Sequence, residues 1–163
     1  MTRARSITLA LYAAAVVVYV LDRVTKLWAE AALAGRPPIE VVPGVLSLNY
    51  TTNSGGAFGL GRSAPWVFAG ATVLVSAVIV LVSFRLDRRP LAVALGLILG
   101  GALGNLTDRV LNGPGLSGSV TDFIDLQVWP VFNLADGAIV TGAVLLAISS
   151  ARREEPEGTV EEA

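Results

Sequence analysis

Four stretches of the sequence are apolar and long enough to cross a lipid bilayer as helices, and this constrains the fold more than any other feature. A spanning helix needs about 20 mostly apolar residues. Charged residues make up only 15% of the chain, against roughly 25% in ordinary soluble domains. We therefore predict an all-α membrane protein with four transmembrane helices in one domain, residues 1–150. The predicted spans are 6–28, 63–84, 90–109 and 127–151.

Basic residues cluster at one end of these spans. The clusters are Arg3 and Arg5, then Arg85, Arg88 and Arg89, then Arg152 and Arg153. The positive-inside rule makes that side cytoplasmic. Both termini are then cytoplasmic, including an acidic tail over residues 152–163.

The two outer loops are expected at about 29–62 and 110–126. The first contains two short β-favouring runs separated by Pro43-Gly44, a turn signal. A small β-cradle on the membrane surface is therefore predicted in this loop.

The chain contains no cysteine and no histidine. This excludes disulfides, thiol nucleophiles, Cys/His zinc sites and Ser-His relays. Acid-base chemistry must come from Asp, Glu, Lys or Tyr, and no metal or other cofactor is expected. The charge distribution also lacks the basic footprint of a nucleic-acid-binding protein.

Several acids lie at one predicted membrane depth. Counted from the basic end of each helix at 1.5 Å per residue, Asp22, Asp108 and Asp136 all lie about 24–29 Å deep. Asp122, just before the fourth span, can reach the same level. An ionisable group inside the membrane costs at least ~2.5 kcal/mol and usually marks a functional site.

Within each helix the polar residues are spaced three or four apart, so they share a face. They are Asp22 with Lys26, Asn105 with Asp108 and Arg109, and Asn133 with Asp136. Asp22-Lys26 and Asp108-Arg109 suit structural ion pairs as well as a functional site.

Asp122 and Asp136 have no basic residue within four positions, which favours function. Two neighbouring carboxylates cannot both ionise cheaply, so one keeps its proton. The charged acid can then take a proton from water while the neutral acid polarises a carbonyl, as in an aspartic protease.

Five motifs occur in order along the chain. They are Asp22–Lys26 (DRVTK), Asn53–Gly59 (NSGGAFG), Gly104–Arg109 (GNLTDR), Val120–Phe123 (VTDF) and Phe132–Asp136 (FNLAD). Together they resemble the signature blocks of lipoprotein signal peptidase (signal peptidase II), an aspartyl peptidase family.

The resemblance implies an intramembrane aspartyl endopeptidase of the bacterial cell membrane, acting as a monomer with its active site near the outer face. Its substrate would be a diacylglyceryl-modified prolipoprotein, cut just before the modified cysteine, in contact with membrane lipid. Asp122 and Asp136 would be the catalytic pair. The supporting residues would be Asn53, Gly55, Asn105, Asp108, Arg109, Asn133 and Ala135, with Asp22 and Lys26 structural.

Two departures from the family pattern, one rival acid and two alternative functions accompany this interpretation. The segment 110–119 is a few residues longer than the common family form, the acidic tail lies outside the shared pattern, and Asp125 is a minor rival to Asp122. Converging intramembrane acids also suit a proton or cation transporter, although here they cluster at one edge. A non-catalytic membrane scaffold is the third hypothesis.

Overall fold

The computed structural model describes residues 3–55 and 65–151. Helices dominate, with a small three-stranded sheet. The elements are α1 (Arg3–Leu33), β1 (Ile39–Val42), β2 (Leu46–Asn53), α2 (Pro65–Ser83), α3 (Arg89–Leu111), β3 (Val120–Asp125) and α4 (Leu134–Ala151). The predicted acidic tail and the loop glycines Gly56 and Gly59 lie outside the described residues.

The central helix is α3, which packs against α1 on one side and α4 on the other. Glycines on α3 allow this close packing. A Cβ at Gly100 would lie 2.5 Å from the carbonyl oxygen of Ala15 on α1, and one at Gly101 would lie 2.5 Å from that of Ala135 on α4. The Gly-rich third span is therefore the surface on which two other helices pack.

Replacing Gly100 by alanine is expected to lower the free energy of unfolding by about 1–3 kcal/mol, because the new methyl group overpacks the α1–α3 contact. Gly70 on α2 is the matched control, since no atom lies within 4 Å of a Cβ built there. Gly70→Ala should be neutral or stabilise by up to about 1 kcal/mol. Detergent unfolding titrations would measure both, and equal stability of the two variants would contradict the close α1–α3 contact.

Helices α1 and α3 run parallel to each other, and α2 and α4 run in the opposite direction. At the start of α1, the Thr8 hydroxyl donates to the carbonyl oxygen of Ser83 at the end of α2 (3.3 Å). Three helices in the described part of the chain are long and apolar enough to cross a membrane. The fourth helix, α4, has a shorter apolar stretch, Leu134–Ser149.

The sheet combines both predicted outer loops. Strands β1 and β2 form an antiparallel hairpin that turns through Gly44, whose φ of 71° suits glycine. β2 pairs antiparallel with β3, where Thr51 lies opposite Asp122. The expectation that the first loop alone forms the β-cradle is therefore incomplete, because the third strand comes from the segment before α4.

The fourth helix begins at Leu134 and not at residue 127. The backbone of Phe132 exchanges two hydrogen bonds with Ile124, of 2.8 and 3.0 Å, and so continues the sheet. Pro130 has no N–H for a helix ladder, and Asn133 caps the helix instead. The apolar residues between β3 and α4 contribute to the sheet and a loop.

Candidate active site

A buried ion cluster joins α1 to α3. The Lys26 ammonium lies 2.9 Å from Asp22 Oδ2 and 2.9 Å from Asp108 Oδ2. Arg23 also pairs with Asp108. The other oxygen of Asp22 accepts a 3.0 Å hydrogen bond from the backbone N–H of Ala135, which ties α4 to the same cluster. The predicted Asp22-Lys26 ion pair is thus present as one part of a larger, electrically neutral group.

Arg109 does not pair with Asp108, contrary to the sequence-based expectation. Adjacent residues on a helix point in different directions. The guanidinium of Arg109 instead donates to the carbonyl oxygens of Gly55 (2.9 Å) and Gly118 (3.3 Å). Arg109 therefore ties Gly55 of the first outer loop to α3. Gly55 also belongs to a turn in which its N–H donates to Asn53 Oδ1 (3.0 Å).

The side-chain amide of Asn105 links the ion cluster to Asp136. Its oxygen accepts hydrogen bonds from Lys26 Nζ (2.8 Å) and from Asn133 Nδ2 (3.2 Å). Its nitrogen donates to Asp136 Oδ1 (2.8 Å). The two donors on the oxygen determine the orientation of the amide, so its N–H points at the carboxylate.

Asn133 is the N-cap of α4, and Asp136 occupies the third helical position. Asn133 Oδ1 accepts from the backbone N–H of Asp136 (2.9 Å), and Asp136 Oδ2 accepts from the backbone N–H of Asn133 (3.3 Å). This reciprocal arrangement is a capping box. Asn133 Nδ2 also donates to Asp122 Oδ1 at 2.6 Å. One asparagine thus contacts both acids.

Asp122 lies on β3, outside the four helices, and its side chain is buried. Burial raises its pKa to about 7, and the nearby charge of Asp136 adds to the increase. Hydrogen bonds from Asn133 and Asn53 oppose that shift because they stabilise the ionised form. Around neutral pH, Asp122 therefore carries its proton for much of the time.

Both acids line one cavity of ≈ 430 Å³ between α2, α3, α4 and the sheet. Its walls are mostly apolar and include Phe68, Ile98 and Ile139. Its polar end is formed by Asn53, Gly55, Asn105, Arg109, Asp122 and Asp136. An apolar cavity with a few convergent polar groups is the usual form of a binding site.

The rival acid Asp125 is not among the residues that line this cavity. Its Oδ1 accepts a hydrogen bond from the backbone N–H of Gln127 (2.8 Å), which shapes the turn after β3. The side chain of Asp125 therefore has a local structural partner, at a distance from the Asp122–Asp136 pair.

The segment 110–119 folds back onto the end of α3. The backbone N–H of Gly118 donates to the carbonyl oxygen of Arg109 (3.1 Å), and Asn112 Nδ2 donates to that of Ser119 (2.9 Å). The segment thus closes on itself before β3 begins, and Asp122 on β3 lines the cavity.

The sequence interpretation missed three residues of this site. Arg23 pairs with Asp108, and the backbone N–H of Thr121 donates to Asp108 Oδ2 (3.1 Å). A Cβ at Gly104 would collide with the Asp22 carboxylate. Arg23 is three residues before Lys26 and shares its helix face, so spacing could have identified it. Thr121 acts through its backbone and leaves no side-chain signal.

Comparison with known proteins gives consistent similarities. The family described as Signal peptidase (SPase) II matches residues 14–152. The lipoprotein signal peptidase of Streptomyces griseus is 45% identical over 157 residues, covering 93% of this chain and 78% of that protein. That of Syntrophomonas wolfei is 46% identical over 132 residues, covering 80% and 85%.

Two solved structures, each described as a bacterial membrane enzyme, have the same overall architecture. The first superimposes with a TM-score of 0.78 at 28% sequence identity and covers 94% of both chains. The second has a TM-score of 0.74 at 30% identity and covers 90% of this chain and 94% of the other.

Proposed function

The chain belongs to the signal peptidase II family, and on this basis we propose that it is a bacterial aspartyl endopeptidase that removes the signal peptide of a prolipoprotein. Cleavage occurs just before the diacylglyceryl-modified cysteine. One observation carries the proposal. Asp122 on β3 and Asp136 on α4 both form hydrogen bonds with Asn133, at the polar end of an apolar cavity.

The two acids have different roles in the proposed reaction. Asp136 is the general base, because Asn105 Nδ2 and the Asn133 N–H donate to its two oxygens and stabilise its charge. Asp122 is the protonated partner and donates to the scissile carbonyl oxygen as that oxygen becomes negative. Water attacks the carbonyl carbon, its proton passes to Asp136, and a proton then returns to the leaving amide nitrogen.

The remaining site residues position this pair. Asn105 and Asn133 orient the carboxylates directly. Asp108 orients β3 through the Thr121 N–H. Arg109 positions the loop that contains Gly55 over the cavity, and Asn53 from the same loop bonds Asp122. The backbone of Ala135 fixes the first turn of α4 against Asp22.

The chain is a multi-pass membrane protein, and we place it in the bacterial cell membrane as one peptidase domain with four spans. Both termini are cytoplasmic, and the sheet lies on the outer surface. The buried acids Asp22 and Asp108 and the half-buried Asp136 then all lie near the outer face. A transporter would need polar groups along a path across the membrane, whereas these acids are confined to one end.

The apolar cavity walls indicate how a lipid-modified substrate is bound. We expect the signal helix to enter from the bilayer, with its acyl chains against apolar side chains such as Phe68 and Ile139. The scissile peptide then lies at the polar end, within reach of Asp122 and Asp136. The substrate is thus recognised through both its peptide and its lipid.

The proposal predicts that the purified chain cleaves a prolipoprotein carrying the diacylglyceryl group far better than the same precursor without it. The lipid buries apolar area in the cavity, and each buried CH₂ contributes about 0.8 kcal/mol. Gel and mass analysis of both precursors in one detergent would measure the ratio of kcat/KM. Equal cleavage of the two precursors would contradict lipid recognition while leaving peptidase activity intact.

The proposed roles also predict a pH dependence. Because the reaction requires protonated Asp122, whose pKa is about 7, kcat/KM should fall as pH rises through that value. The hydrogen bond from Asn53 favours the ionised form, so Asn53→Ala should move the alkaline limb to higher pH. Asn112→Ala, which alters a loop contact away from the acids, should leave the limb in place. A profile that rises through pH 7 would contradict the assignment.

A further inference from the structure

A second cavity lies at the opposite end of the helices, about 24 Å along α1 from Asp22. It has a volume of ≈ 500 Å³, within the range of about 300–1,000 Å³ typical of small-molecule sites. We call it the basic pocket; it is lined by Arg3, Ser6, Ile7, Asp87, Arg88, Arg89 and Pro90. It shares no residue with the catalytic cavity.

Among the residues that the structure describes, the arginines of the basic pocket have no carboxylate partner. Within residues 3–55 and 65–151, no ion pair involves Arg3, Arg88 or Arg89. Arg89 Nη2 donates one hydrogen bond, to Ser6 Oγ at 2.7 Å, which joins the starts of α3 and α1. With Asp87 included, the lining carries two net positive charges. The pocket is therefore electrostatically suited to an anion.

The start of α3 adds to this positive potential. Arg88 is the N-cap residue in extended conformation, and its side chain makes no capping hydrogen bond. The positive end of the helix dipole thus lies in the pocket wall. The pocket combines three guanidinium groups with an uncapped helix start, and either feature alone would be a weaker anion site.

The location of the pocket indicates which kind of anion it can bind. The apolar parts of α1 and α3 begin directly beyond its lining, and the buried Ile7 contributes to its wall. An occupant must therefore present a negative group next to the hydrocarbon region. Basic pockets between transmembrane helices bind anionic lipid headgroups. We propose that the basic pocket binds the headgroup phosphate of an anionic phospholipid such as phosphatidylglycerol.

The test is lipid titration of the full-length protein in neutral detergent, with the shift in Tm as the readout. Phosphatidylglycerol should raise Tm saturably, and phosphatidylcholine should not. Arg88→Gln should weaken the apparent affinity about fivefold, the factor expected for one arginine near an anionic headgroup. Arg85→Gln is the matched control, because Arg85 lies in the same connection and does not line the pocket.

Three results would overturn the proposal. Equal stabilisation by phosphatidylcholine would show that the headgroup charge is not recognised. Equal weakening by Arg85→Gln and Arg88→Gln would show diffuse attraction instead of a site. Inorganic phosphate alone, if it reproduced the shift and blocked the lipid effect, would identify a soluble phosphate site.

Discussion

Replacement of Lys26 by methionine is expected to destabilise the protein by about 3–5 kcal/mol, because it leaves the buried Asp22 carboxylate without its counter-ion, whereas Asp108 keeps Arg23. Lys26 is 2% exposed, and the Asp22 and Asp108 side chains that it bridges are equally inaccessible. The substitution also removes a donor to Asn105, whose amide orients Asp136. Activity should therefore fall along with stability. Unfolding titrations and cleavage rates measured in the same micelles would quantify both effects.

Two further variants test this explanation. Arg36→Met likewise replaces a basic side chain by methionine, at an exposed position after α1, and should change stability by less than about 0.5 kcal/mol. Adding Asp22→Asn to Lys26→Met removes the unpaired charge and keeps the Arg23–Asp108 pair, so it should recover part of the lost stability. Wild-type stability in Lys26→Met, or no recovery in the double variant, would contradict a coupled ion cluster.

Features that depend on composition along one helix were predictable from the sequence. The length and apolarity of the spans indicated the helices, because a spanning segment must satisfy its own backbone groups. The three- and four-residue spacings placed Asp22 with Lys26 and Asn133 with Asp136 on shared faces. The structure contains both contacts, the first across one turn of α1 and the second as the N-cap of α4.

Features that depend on contacts between distant segments were not predictable. The Ile124–Phe132 pairing determines where α4 begins, and hydropathy does not detect that pairing. The partners of Arg109 are backbone carbonyls from two loops, which residue type does not reveal. The third strand joins the sheet through its register with β2, although its sequence lies beside a predicted span.

The candidate site could be predicted as a set of residues but not as a network. Depth along the helices indicated that Asp22, Asp108 and Asp136 lie at one level. It could not show that Asn105 connects the ion cluster to Asp136, since that link requires the relative rotation of α1, α3 and α4. Rotation is set by close contacts such as Gly104 against Asp22.

Replacing either Asp122 or Asp136 by asparagine is expected to reduce kcat/KM for prolipoprotein cleavage by at least about 10³-fold. Asparagine has nearly the same shape, so the bonds to Asn133 can largely be retained while proton transfer is lost. Because the two acids act as a unit, the double variant should be little worse than either single variant. Tm measurements would confirm that the variants remain folded.

Asp125→Asn is the matched control, because it makes the same substitution three residues from Asp122 on the same strand. Asp125 accepts a hydrogen bond from the backbone N–H of Gln127 and does not line the cavity that Asp122 and Asp136 share. The rate of prolipoprotein cleavage by Asp125→Asn should stay within a few-fold of the wild-type rate. A large loss in this variant would transfer the catalytic role to Asp125 or show that the strand tolerates no change.

The most direct test of the central claim is the mass of the products formed from a diacylglyceryl-modified prolipoprotein by the purified wild type and by Asp136→Asn. We predict that the wild type releases a mature protein beginning with the lipid-modified cysteine, together with the free signal peptide. Asp136→Asn, folded to the same extent, should leave the precursor intact. Equal cleavage by both proteins, or an intact precursor with both, would contradict the proposed aspartyl peptidase mechanism.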